Sequence, residues 1–278
     1  MTSEATTLRR IETVSPLRGL GGLLVVELRT WFPWRVLFLT IAGFGVFAMN
    51  YAGWRAGNAE FGSLLFPFFG LWIAILLLSV VSLTEGSVLG EIERGTASWL
   101  VAMPIGRPAV ILAKFFAASA GITAAVFVTG TALYPVLLEA SGWGRSEFRV
   151  SELTEVTGGP IGMWGRFTSL VDFGEWIELL LALSVFLVFV VAVMILFGTM
   201  LRSRTAVFGL GLGVVGVFGV AALAGSFAAA SPAGLLRVII DVSQGRTPSL
   251  VIPFVASLLW TTLVLLLAVW RFDRKELS

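Results

Sequence analysis

The chain has no cysteine and no histidine among its 278 residues. Their absence removes disulfides, thiol nucleophiles, histidine-ligated haem and the usual zinc sites. Lysine is nearly missing too, standing only at Lys114 and Lys275. Neither lies in the G-x-x-x-x-G-K-S/T setting whose backbone cradles a nucleotide phosphate. Asp, Glu, Lys and Arg together make up 13% of the chain, against roughly 25% in an ordinary soluble domain. The net charge of +2 is scattered over separate segments, which argues against a nucleic-acid partner.

What is present is apolar. Hydrophobic residues account for 57% of the chain, with ten tryptophans, and several runs approach the roughly 20 residues needed to cross hydrocarbon as a helix. Leu179 to Met200 carries no charge, whereas a membrane β-barrel strand alternates lipid-facing and lumen-facing residues. Helices satisfy their own backbone groups in lipid. The expected fold is therefore an all-α polytopic membrane protein with six transmembrane helices, near 36–50, 64–84, 109–138, 179–200, 206–229 and 250–270. The third of these is long enough to tilt or project.

Residues 1–35 form the expected cytoplasmic N-terminus, 36–270 the six-helix transmembrane domain and 271–278 a cytoplasmic tail. Within the first part, Leu24, Val25, Leu28 and Trp31 recur at helical spacing opposite Glu27 and Arg29, which predicts an amphipathic interfacial helix ended by Pro33. The polar, basic character of residues 1–35 gives no expectation of a cleavable leader. With both termini inside, twelve Lys and Arg residues fall on the cytoplasmic side and six outside. That bias predicts a multi-pass protein of the cell membrane with both ends in the cytoplasm. Trp34, Trp54, Trp143, Trp164 and Trp176 fall near span ends, as interfacial anchors do.

Three clusters are candidates for function. A charged island separates the second and third spans: Glu85, Glu91, Glu93 and Arg94, then Gly95, Thr96, Pro104, Gly106 and Arg107. A helix from about Val88 to Arg94 would end at a Gly95 cap, and Pro104 and Gly106 would shape a turn. Phe61, Phe66, Phe68, Phe69 and Trp72 form an aromatic stripe, read either as an outer gate or substrate path or as lipid-facing packing. Gly209, Gly213 and Gly216 share a helix face suited to close helix packing, inside the chain or against another copy. Lys114 is expected to snorkel to the surface, with Glu85 as a partner if the helix ends meet.

The string from Glu91 to Lys114 resembles the segment between the second and third spans of ABC-2 type transporter permeases, the transmembrane subunits of ABC transporters. Arg94-Gly95-Thr96, Pro104, Arg107 and Lys114 match that pattern, while Ala113 stands where a glycine is common. The resemblance implies that the island docks as a coupling helix on a cytosolic ABC ATPase, in two copies. A second or related permease copy would complete the exporter. It implies no cofactor on this chain, with ATP and magnesium on the ATPase. The near-uncharged spans suit an apolar or amphipathic substrate and contact membrane lipids.

Other functions follow less directly. A membrane scaffold or a maturation or signalling component docked to an ATPase is the nearest alternative. A lipid-acting enzyme would have to use Asp172, Glu175 and Glu178, a spacing equally ordinary on a solvated helix. A secondary transporter would have almost no intramembrane carboxylate for proton coupling.

Overall fold

The computed structural model describes residues 17–32, 34–56, 61–93, 106–140, 173–224, 230–243 and 249–274. Among them every regular element is a helix: α1 (Leu20–Trp31), α2 (Trp34–Ala56), α3 (Phe61–Glu93), α4 (Arg107–Ala140), α5 (Phe173–Met200), α6 (Arg204–Ala224), α7 (Ala233–Ser243) and α8 (Val251–Arg274). Four of them carry segments long and apolar enough to cross a membrane, namely Arg107–Ala132, Trp176–Met200, Arg204–Leu223 and Val251–Arg274. This is an all-helical membrane protein.

The ends of the helices have local causes. Gly19 precedes α1 with φ 84°, the left-handed conformation that glycine adopts without a Cβ clash. Phe32 ends α1 in extended geometry, its N–H still donating to the Leu28 carbonyl, and the sequence then has Pro33, which has no N–H to continue a helix. Pro253 is accepted in the first turn of α8, where no intrahelical acceptor awaits its missing N–H.

The bundle is built around α5. Of its span 78% is buried, against 17% for α6 and 28% for α8. Leu179, Leu183, Phe186, Leu187, Val190 and Met194 are all buried, and they recur every three or four residues along a helix that is also buried on its other faces. Large side chains on α6 and α8 point outward instead, among them Val217, Val220, Leu223, Leu259 and Leu266. An apolar outer surface of this kind is stable only against lipid or another apolar partner.

Glycines set the closest approaches. A Cβ on Gly43 of α2 would stand 2.8 Å from Thr129 Cγ2 of α4 and 3.2 Å from Trp72 Nε1 of α3. At Gly130 a Cβ would overlap the Leu180 side chain of α5. One turn before Leu180 on α5, the indole of Trp176 donates to the Gly130 carbonyl at 3.0 Å and lies 6.1 Å from the Tyr134 ring. Trp176 is fully buried, which corrects its reading as an interfacial anchor. Trp34, 75% exposed at the start of α2, keeps the exposure an anchor requires.

Contacts along α1, α2 and α4 give their relative direction. Arg18 meets Gly106, Glu27 meets Lys114, Trp31 and Val36 meet Gly121, and Gly43 meets Thr129. Both partners advance together, so α1 and then α2 run beside α4 with the same polarity. The segment read from sequence as an interfacial helix is packed lengthwise on the first four turns of α4.

Candidate coupling site

The charged island is flanked by α3 and α4. Helix α3 has 33 residues, about 50 Å at 1.5 Å per residue, and runs unbroken from Phe61 to Glu93. A separate helix beginning near Val88 is therefore replaced by a direct extension of the preceding helix. Beyond Pro67, which has no N–H to donate, the helix keeps one hydrogen-bonded ladder to Glu93, and such a ladder is stiff along its axis. Glu85 lies on α3, half-buried, and Glu91 and Glu93 occupy its last turn. Arg94, Gly95, Thr96 and Pro104 lie outside the described residues.

On the far side of the island, three contacts fix the beginning of α4. The buried Gly106 N–H donates to the Arg18 carbonyl at 3.1 Å. Arg107 donates from Nη1 to the Asp273 carbonyl at 2.7 Å. Asp273 belongs to the last turn of α8, where exposed carbonyls and the negative end of the helix dipole favour a guanidinium. Two turns further into α4, Lys114 Nζ lies 2.6 Å from Glu27 Oε1 of α1.

That pair corrects the expectation for Lys114. Its side chain is 5% exposed and does not snorkel to solvent, and a carboxylate bonded to it is that of Glu27 of α1. Glu27 was visible in the sequence as a polar position on an amphipathic helix. Only the lengthwise packing of α1 on α4 turns that face inward.

Another basic residue of this end was missed altogether. Arg204 opens α6, and its guanidinium lies over Gly86 and Gly90 of α3, where added Cβ atoms would stand 3.9 Å from Nη1 and 3.3 Å from Nη2. Glycines four residues apart share a helix face, so the pair forms a shallow trough that a larger residue at 90 would narrow. The signal was a small-x-x-x-small spacing next to a charged island, in a helix whose fellow-span partner was unknown.

The remaining candidates separate from this end. Trp72 is fully buried and packs beside Gly43 of α2. Phe61, Phe66, Phe68 and Phe69 lie on the first third of α3, and their side chains lie outside the described set. Among the described residues no heavy atom lies within 4 Å of a Cβ added at Gly209, Gly213 or Gly216, so these three make no close helix contact there. The intramolecular contact falls on Gly211, where a Cβ would overlap Met194 of α5 and come within 3.2 Å of Val81 Cγ1 of α3.

No protein-family model and no curated protein sequence matches this chain. Among the described residues no group of three acidic, cysteine or histidine side chains is placed to hold a metal ion. Glu178, one of the carboxylates a lipid-acting enzyme would need, is exposed on the second turn of α5, and Asp172 lies outside the described residues.

Proposed function

We propose that this chain is the membrane permease subunit of an ATP-driven exporter of the ABC-2 type, moving an apolar or amphipathic molecule with energy from a separate ATPase. The six spans are α2, α3, α4, α5, α6 and α8. Helix α2, with 23 residues, has the length to cross. Helix α1 precedes the first span, and α7 forms part of a hairpin before the last. Both ends of the chain lie in the cytoplasm of the cell, as does the island.

One observation carries this reading most strongly. The island lies between a helix of unbroken length on one side and a helix start on the other that is fastened to α1 and α8. A push on residues 91–107 is thereby delivered to the first, second, third and last spans together. An ordinary connecting loop has no need of such fastening, since connections between spans are usually the most mobile parts of a fold. The partner is a cytosolic ATPase in two copies, which binds the ATP and magnesium, with a second permease copy completing the path. Coupling of this kind requires that the ATPase distinguish two states of the bundle.

The test is ATP-stimulated transport by the chain reconstituted with its ATPase. Reversing Glu91, Glu93 and Arg94 together (Glu91→Lys, Glu93→Lys, Arg94→Glu) is expected to abolish stimulation while expression continues. Transport that survives this triple reversal, with assembly intact, overturns the reading. Stable ATPase binding with no stimulated hydrolysis in the unaltered complex would identify a docked scaffold instead.

A further inference from the structure

We propose that the Glu27–Lys114 ion pair is a joint that locks α1 in register on α4, so that the two helices move as one lever seated at Gly121. Lys114, Ala118 and Gly121 share one face of α4 by their spacing of four and seven residues. On that face Ala118 is buried and Gly121 admits Trp31, to which an added Cβ would come within 2.9 Å at Cε3. The same Cβ would come within 3.3 Å of Val36 Cγ2, so Gly121 receives both sides of the bend between α1 and α2. The Arg35 guanidinium lies 4.8 Å from the Trp31 ring centroid and covers the bend from its α2 side.

The physical need for a charge pair follows from this surface. A helix face of alanine and glycine presents low ridges, and apolar contacts across it hold two helices together without fixing their axial position. An ion pair removed from water adds little net stability over apolar residues of the same size, yet it imposes one geometry, because either charge left unpaired there is costly. Lys114 is 5% and Glu27 19% exposed, and their 2.6 Å contact is satisfied at one register only. Together with the Gly106 N–H bonded to the Arg18 carbonyl, the joint ties α1 to α4 at its start, its middle and its end. Glu27 and Lys114 are thus positioning residues. A displacement of α4 is passed through α1 to the bend, where Val36 of α2 also meets Gly121. The identity of what drives the lever rests on the exporter reading; the joint does not.

The test uses the purified full chain in lipid nanodiscs, without an ATPase. Because the protein has no cysteine, Ala118→Cys supplies a single thiol beneath α1, and its rate of maleimide labelling reports how often α1 lifts. Lys114→Met leaves Glu27 without its hydrogen-bonded lysine, with only the more distant Arg35 charge acting on it, and is expected to raise that rate by roughly tenfold or more. Glu27→Gln acts in the same direction, and the exchanged pair Glu27→Lys with Lys114→Glu returns the rate toward that of the parent. A thiol at Ala192, buried in α5, keeps its rate in every variant. An unchanged rate at position 118 in Lys114→Met, an equal rise at 118 and 192, or no recovery in the exchanged pair each overturns the joint. Failure of ATP-driven transport in a separate assay would overturn the exporter reading and leave these rates as they are.

Discussion

Single residues decide the closest contacts, and the glycines show it most sharply. At Gly130 the next helix arrives where a Cβ would be, and the overlap is with the branched end of Leu180. Gly130→Ala is therefore expected to lower thermal stability in detergent by about 1–3 kcal/mol, the usual cost of overpacking. Gly211→Ala is expected to behave similarly, because Met194 and Val81 must both give way. Alanine at Gly209, Gly213 or Gly216 meets nothing among the described residues and should leave the unfolding midpoint unchanged or raise it slightly, since alanine is the better helix former. A destabilisation at those three positions equal to that at Gly211 would contradict the packing described here. Trp176→Phe keeps most of the ring and removes the bond to the Gly130 carbonyl. It should cost about 0.5–1.5 kcal/mol, the net worth of one hydrogen bond, because the Gly130 carbonyl keeps its place in the α4 ladder.

For the elements, hydropathy marked where helices lie and packing determined which way they face. The segments expected at 64–84, 109–138 and 179–200 fall inside α3, α4 and α5, because apolar runs of that length with at most one charge, Lys114, have few other stable states in lipid. The amphipathic pattern of 24, 25, 28 and 31 marked α1 as a helix. It misplaced part of the covered side, since Val25 is exposed and Glu27 turns toward a lysine 87 positions away. The same limit applies to Arg204, whose place over Gly86 and Gly90 joins the beginning of α6 to the end of α3. Gly90→Leu is expected to displace that guanidinium and weaken the α3–α6 contact. Increased proteolytic cleavage between Leu201 and Arg204 would report it, and cleavage no faster than in the parent would count against this contact.

At the scale of the whole molecule, orientation and transport are the open quantities, and both are accessible to measurement. A single cysteine at Arg202, exposed at the end where α5 and α6 join, is expected to be protected from impermeant maleimide in intact cells and labelled after lysis. The opposite result would invert the topology and place the island outside the cell. The sequence determined that this chain lives in lipid and is helical, because scarce charge and long apolar runs leave the backbone no other way to satisfy its polar groups. It also marked the island, since charges are conspicuous where nearly everything else is apolar. Tertiary structure alone decided that α5 is the centre, that Trp72 and Trp176 are buried, that the glycines at 209, 213 and 216 face outward, and that Lys114 finds Glu27. In lipid nearly every face of an apolar helix is equally soluble, so hydropathy does not indicate which face meets protein. Only shape and a few polar contacts make that choice.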